Sequence, residues 1–457
     1  MKKLLIFTLL FSMLLSASCS SSLVVETTTD KKETVGAETV PESTEEVRQT
    51  GPITLPEGFS AGYGRRVVNP EQGTSLAGWP TAEKRLSGAI VDDIKFTCTA
   101  LSDGENIFFL FSTDALAVSD ALFNKIASLA EENHGVPKEN VIVNATHTHS
   151  APASYISALP GVAKYNKKLY PAVEAVMDEA LRDLAPAKVF MARGYTENLN
   201  YVRRYVTLDG KTYLGGTAMG LADADFARHE TDADNEMQLL RFVREGKKDI
   251  VLCNWQCHPT TMSSEYGTTV SADWVGPFRD AVEKDLDVLF SYHQGAAGNV
   301  GPSSRIRGEK GNGDYNKHGQ ALAAVVKSAL DSAEEVNTAP FKSTRSDFVA
   351  THSEAYKSKS GTKSKTDTLH LTVLSMGDIS FATVPCEWHD TCGQMVKGDT
   401  PYKMTFVCGY SNGSKSYIPS SAAFDNGGYE VSSCHFEKGT GEAIAEELLR
   451  LLRDLKA

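Results

Sequence analysis

Short apolar runs of strand length alternate with longer stretches of helical spacing from Asn106 to the end of the chain. This alternation restricts the fold more than any other feature, because a period of two and a period near 3.6 bury different faces. The run NIFFLFS (Asn106–Ser112) predicts a buried strand, and Val118–Asn133 a helix. Strands are expected at Asn140–Thr146 and Ala187–Ala192, with a helix over Asn166–Leu184 between them. Glu236–Val243 and Asp249–Trp255 read as paired strands across a charged turn. A helix (Asp273–Leu286), a strand (Asp287–Tyr292) and a long helix (Asp314–Val336) follow. Leu369–Met376 and Ile379–Val384 form a hairpin on Gly377-Asp378, a favoured turn pair. Glu442–Leu455 has the spacing of an amphipathic helix. Interleaved helices and strands predict one large layered α/β domain over residues 55–457, a mixed β-sheet flanked by helices.

The first residues carry a different signal. Lys2 and Lys3 precede an apolar run, Leu4–Leu15, and then Ser16-Ala17-Ser18-Cys19. A positive start, an apolar core and small residues make residues 1–19 an export signal, too short for a comfortable membrane span. A cysteine behind the small residues resembles a bacterial lipoprotein signal, so Cys19 is expected to carry lipid. Lipid holds a protein to a membrane surface without spanning it. Residues 20–54 are rich in Ser, Thr, Glu and Lys and are expected to form a disordered tether. The chain is therefore expected to be exported, as a cell-envelope lipoprotein or a plainly secreted protein. Export permits disulfides, and Cys386, Cys392, Cys408 and Cys434 are close enough in sequence for a bridge. The formal charge of -12 excludes nucleic acid as a partner, since phosphate neutralisation needs a basic surface.

Chemistry-bearing residues gather where strands end, which is where α/β folds place their sites. The segment VIVNATHTHSAP (Val141–Pro152) sends His147 and His149 from a predicted strand end, two positions apart and so on one side. That spacing alone leaves a metal site and a structural pair equally open. NWQCHPTTM (Asn254–Met262) supplies His258. HQGAAGNVGPSS (His293–Ser304) is rich in small residues that let backbone N–H groups approach an oxyanion. ATVPCEWHD (Ala382–Asp390) carries Glu387, and Cys408–Glu430 carries Tyr417 and Tyr429. Asp273, in SADWVG, is expected either to line the pocket or to cap a helix.

Together these blocks resemble the catalytic domain of the neutral/alkaline (non-lysosomal) ceramidases, zinc enzymes that hydrolyse the amide of N-acylsphingosines. The resemblance runs from AGYGRRVVNP (from Ala61) through STDALAVSDAL (from Ser112), THTHS and TDADNEMQLLRF (from Thr231) to Glu430. It implies a zinc cofactor and a ligand set. THTHS gives His147, CHPT gives His258, VPCEW gives Glu387 with Cys386 where glycine is usual, and SYIPS gives Tyr417. His149 is implied as a companion able to move a proton, and Tyr429 as a donor to substrate or oxyanion. YVRRY implies Arg203 near the substrate carbonyl, with Arg204 as its substitute.

One block departs from the family. Its Gly-Asp-Val-Ser-Pro segment carries the proposed nucleophilic serine, and here it reads Gly298-Asn299-Val300-Gly301-Pro302. Gly301 has no side chain, and Ser303 and Ser304 are out of register. The expectation is therefore hydrolysis by metal-activated water, since zinc with an open position lowers the pKa of bound water to about 7. Gly298, Asn299 and Gly301 are expected in the loop facing the oxyanion. The expected substrate is an N-acyl amide, a ceramide-like lipid. A zinc hydrolase of another amide or ester, or a non-catalytic binding lipoprotein of the same fold, are the alternatives.

Overall fold

The structure is a computed structural model, and it describes residues 54–214, 225–264, 267–309 and 313–457. The export signal, Cys19 and the tether up to residue 53 lie outside the described residues. The larger sheet contains β1 (Ser60–Val67), β2 (Lys95–Ser102), β3 (Ile107–Thr113), β4 (Val141–Ala145), β5 (Ala185–Tyr195), β6 (Glu236–Arg244), β7 (Ile250–Trp255) and β8 (Leu289–Gln294). Their spatial order is β8-β7-β6-β5-β1-β2-β3-β4. β3–β4 and β7–β8 pair in parallel, and the other neighbours are antiparallel. Parallel pairing needs a crossover. The helices α1 (Asp120–His134) and α3 (Val275–Leu286) lie in the two crossovers, while α2 (Val162–Arg182) and α4 (Tyr315–Leu330) pack on the same face. The boundaries of α1 follow from its ends: Ser119 accepts from the Leu122 N–H, and Gly135 takes the left-handed conformation.

A second, four-stranded sheet covers the other face. It runs in the order β9 (Phe341–Thr351), β10 (Thr366–Met376), β11 (Ile379–Thr383), β12 (Met404–Cys408). The predicted hairpin is the β10–β11 pair. Two further helices, α5 (Asp390–Asp399) and α6 (Thr440–Lys456), close the outer side of this sheet. The layers are therefore helix, sheet, sheet, helix. The mixed sheet flanked by helices is as the sequence predicts, and the second sheet is an addition.

Side-chain alternation shows why NIFFLFS is apolar without interruption. Phe109 and Phe111 pack toward α1 and α2, among Phe123, Ile126 and Val176. Phe108 and Leu110 pack toward the second sheet, among Phe341, Met376 and Phe381. Both faces are covered, so neither can be polar, and each such side chain contributes roughly 1.5–3 kcal/mol by burial.

Buried asparagines fasten the layers. Asn144 of β4 donates to the Gln294 carbonyl at 3.1 Å and accepts from the Gln294 N–H at 2.7 Å, joining the two edge strands. Asn254 of β7 exchanges hydrogen bonds with the Val407 backbone of β12 at 3.1 and 3.2 Å. The long helix expected to reach Val336 stops at Leu330, because Glu334–Glu335 leave it to pair with β5. Among the described residues, no helix is long and apolar enough to cross a membrane.

Burial holds three histidines far below their ordinary range, His293 and His318 at about 4 and His389, helped by Arg204, at about 3. An unfolded chain titrates them near 6.5. Between these values the unfolded state takes up protons that the folded state refuses, so stability is lost as pH falls through the window. Thermal unfolding should show Tm declining steadily from about pH 6.5 toward pH 4. A Tm unchanged over that range would contradict the burial of these rings as neutral groups.

Candidate metal centre and active site

Three loops at the C-terminal ends of β4, β7 and β8 deliver the first groups. The chain leaves β4 at Ala145, and His147 adopts a left-handed backbone with φ 69°. Continued strand alternation therefore does not bring the two histidines together, as the sequence implied. A turn does: the Nε2 atoms of His147 and His149 lie 3.3 Å apart. His258 is fully buried beyond β7, with its Nε2 3.2 Å from that of His147. Glu387 sits on a two-residue strand, Glu387–Trp388, paired in parallel with Tyr417–Ile418. Its Oε2 reaches 3.2 Å from His147 Nε2 and 3.3 Å from His258 Nε2.

Hydrogen bonds on the far side of each ring fix what these atoms can do. His147 Nδ1 donates to the Leu116 carbonyl at 2.7 Å, and His258 Nδ1 to the Ala297 carbonyl at 2.8 Å. Each Nε2 is then a lone pair. Burial first, then Arg203, pushes His258 down to about 4, so it stays neutral near pH 7. The Glu387 Oε2 atom is buried without a hydrogen-bond partner.

Two nitrogen lone pairs and a carboxylate oxygen therefore converge with no proton to share. Such a cluster repels itself unless a cation sits between its members. The donor set suits zinc, and ligands at about 2.0–2.1 Å in tetrahedral array lie roughly 3.3 Å apart, the spacing found. His147, His149 and His258 form a group whose ligand atoms all fall within 4.8 Å. His149 differs from the other two: its Nδ1 is buried without a partner, and no carbonyl fixes its tautomer.

The remaining predicted residues fall into place unequally. The Tyr417 hydroxyl accepts from Arg203 Nη2 at 3.2 Å. Burial, then Glu387, pushes its phenol up. Arg203 also donates to the Gly298 carbonyl at 2.9 Å. Arg204 faces away, fully buried, and spends its donors on Glu230, Glu430 and the carbonyls of Ala423 and Gly427. Tyr429 is 42% exposed, with its ring 5.3 Å from that of Tyr417.

The glycine-rich loop acts otherwise than expected. The Gly298 N–H donates to the Trp388 carbonyl at 2.8 Å, and the Val300 N–H to Ala297 at 3.0 Å. The Asn299 amide is engaged with Asp390. These donors are spent inside the protein, and the loop's carbonyls instead orient His258. Glycine is required at 298, where a Cβ would come within 2.5 Å of the Glu387 carbonyl. Gly301 has room: a Cβ there would meet only Arg203, at 3.8 Å. What the position lacks is a hydroxyl, and nothing steric forbids one.

Asp273 braces the His258 loop, its carboxylate accepting from the Thr261, Met262 and Trp274 N–H groups. All seven cysteines of the described residues are buried free thiols, so no bridge joins those crowded at the C-terminal part. A cavity of ≈ 180 Å³ opens beside the cluster, lined by His147, Glu387, Leu116, Lys415, Tyr155 and Tyr410, among others. Tyr155 and Tyr410 are the residues that sequence reasoning passed over. No periodicity or spacing marks them, although Tyr410 stands in the same block as Tyr417.

Fold and site together define a layered α/β protein with a buried histidine–carboxylate cluster fit for a divalent metal. Residues 95–302 match the family model described as neutral/alkaline non-lysosomal ceramidase, N-terminal. It is 22% identical to a neutral ceramidase of Oryza sativa subsp. japonica over 218 residues, which is 45% of this chain and 26% of that protein. Neutral ceramidase 1 of Arabidopsis thaliana matches at 22% over 222 residues, again 45% of this chain and 26% of that protein. The chain thus spans about a quarter of the length of the curated relatives it matches. Among solved structures, a ceramidase complexed with C2 superposes with a TM-score of 0.72 at 15% identity, over 88% of this chain and 76% of the other. The neutral ceramidase from Pseudomonas aeruginosa gives 0.70 at 15% identity, over 88% and 75%. These likenesses agree with the fold that the sequence blocks implied.

Proposed function

We propose that the chain is a zinc-dependent amide hydrolase acting on an N-acyl lipid of the ceramide kind. The observation that carries this reading is the convergence of His147, His258 and Glu387 at 3.2–3.3 Å, without a shared proton, beside an open cavity. The match of residues 95–302 to the ceramidase family model supports the reaction class.

Zinc held by His147, His258 and Glu387, with Tyr417 as a fourth candidate ligand, would polarise a carbonyl and lower the pKa of bound water to about 7. The chain's own groups do the rest. The carbonyls of Leu116 and Ala297 keep both imidazoles pointed as acceptors. Arg203, anchored on Glu430 and Gly298, brings a fixed positive charge beside Tyr417. Such a group stabilises a developing oxyanion, and losing one donor of this kind costs about 3 kcal/mol. His149 Nε2, 3.3 Å from His147, is the nearest imidazole free to carry a proton to a leaving amine. Tyr429 is partly exposed beside Tyr417, and its hydroxyl is the candidate donor to substrate.

Water rather than serine is the nucleophile in this reading. Gly301 offers no hydroxyl, and the Ser304 Oγ is tied to His229 Nε2 at 2.8 Å. The same substitution favours a second reading, in which the ligands are kept and the substrate is another amide or an ester. A lipid on Cys19 would hold the enzyme at a membrane surface, where an acylated lipid resides. Fatty-acid release from N-acylsphingosines, N-acyl amino acids and fatty-acyl esters separates these readings. Release from N-acylsphingosine is expected. Release from esters alone would replace the substrate, and release from none would end the hydrolase reading.

A further inference from the structure

The cavity beside the metal-ligand cluster contains a buried donor with nothing to donate to. Tyr410 follows β12, is 3% exposed, and its phenol oxygen is buried without a hydrogen-bond partner. Its ring lies against that of His147, centroids 4.1 Å apart at 32°, and 6.3 Å from that of His258. It shares the cavity wall with Glu387.

The backbone there is held in an unfavourable form. Tyr410 has φ 51°, in the left-handed region that large side chains avoid. It is kept there by a dense set of bonds. The Tyr410 N–H donates to Cys386 and its carbonyl accepts from Ala145, each at 3.2 Å. Asn144 donates to Ser411 Oγ at 2.9 Å, and Asn412 accepts from the Val143 N–H at 2.8 Å. These bonds tie Tyr410 to β4, the strand that delivers His147, and to the segment that delivers Glu387. Strained backbone and an unpaired buried hydroxyl both cost stability, and a surrounding that enforces both marks a functional position. Phenylalanine would pack against His147 equally well, so packing does not account for the hydroxyl.

We propose that the Tyr410 hydroxyl donates a hydrogen bond to the acyl oxygen of the ligand seated in this cavity, the carbonyl of an amide or the carboxylate of its acid product. Tyr410 is then a further catalytic residue. The proposal rests on the amide-hydrolase reading above, and its test keeps the two apart.

Tyr410→Phe keeps the ring against His147 and removes one oxygen. In the zinc-loaded full chain, kcat for N-acylsphingosine is expected to fall on the order of 10–100-fold with KM changed less than about threefold. Binding of hexanoate, followed by calorimetry, should weaken about tenfold, as expected for one lost hydrogen bond to a charged acceptor. Zinc content should not change. The ligand-free variant should unfold at the same temperature or higher, because an unpaired buried hydroxyl is gone. Unchanged kcat with unchanged hexanoate binding would overturn the proposal, and so would a lower Tm with zinc lost, which marks a structural residue. If the wild-type protein hydrolyses no amide, the hydrolase reading fails by itself, and hexanoate binding still decides on Tyr410: equal binding, or none by either protein, overturns it.

Discussion

His258→Ala is expected to abolish stoichiometric zinc binding and to lower amide turnover on the order of a thousandfold or more. His258 faces His147 and Glu387 at 3.2 and 3.3 Å, and its other nitrogen is fixed by the Ala297 carbonyl. The damage to the fold should be modest. The Ala297 carbonyl keeps its bond from the Val300 N–H, so one lost hydrogen bond and a small void cost about 1–3 kcal/mol, against a total stability of about 5–15 kcal/mol. His147→Ala makes a poorer test, because alanine at φ 69° adds backbone strain to the lost ligand. Zinc content by atomic absorption, set beside circular dichroism, checks the result. Full zinc occupancy in folded His258→Ala would remove this residue from the ligand set.

Glu430→Ala should destabilise the protein by about 3–5 kcal/mol, the usual cost of stripping one partner from a buried ion pair. Glu430 is fully buried, with one oxygen 3.2 Å from Arg203 Nε and the other 2.9 Å from Arg204 Nη1. Without it, Arg204 still pairs with Glu230, while Arg203 loses its carboxylate partner. Arg203 would also lose the anchor that aims it past Tyr417, so turnover should fall along with stability. The urea midpoint of unfolding measures the first effect. A change below about 1 kcal/mol would mean that the cluster is solvated and is not the desolvated pair described.

Adjacent arginines show where sequence reasoning stops. YVRRY presents Arg203 and Arg204 as equals. They separate only in three dimensions, because neighbours in an extended segment point to opposite sides. One then meets the ligand cluster and the other a buried ionic network. The loop at Gly298 makes the same point. Its composition offers free N–H groups, but whether they are free depends on Trp388 and Ala297, which approach from elsewhere. Tyr410 left no mark either, since a left-handed backbone at a tyrosine has no sequence signal.

The fold was legible wherever both faces of a strand are buried, as in NIFFLFS, or where a helix has clear ends, as at Ser119 and Gly135. It was not legible at β1, SAGYGRRV, where two glycines argue against a strand. They are there because α2 lies directly on the sheet: a Cβ at Gly62 or Gly64 would come within 2.0 or 2.3 Å of the Ala180 or Val176 carbonyl. The second sheet was hidden for a different reason. β9, FKSTRSDFVAT, is an edge strand with polar side chains on much of its length, and its pattern resembles a loop. The candidate ligands were named in the sequence as a set, and the structure shows only that they lie near one another. Their resemblance to one family's blocks singled out four positions, and the structure brings His147, His258, Glu387 and Tyr417 to one cavity wall and its immediate neighbours.

The claim that a metal at this cluster drives amide hydrolysis is tested most directly by fatty-acid release from an N-acylsphingosine. Release would be measured for the purified full chain as isolated, after dialysis against EDTA, and after one equivalent of zinc is returned. Turnover that disappears with the metal and returns with zinc is the predicted result. Undiminished turnover by metal-free protein, or no release by zinc-replete protein, would contradict the account.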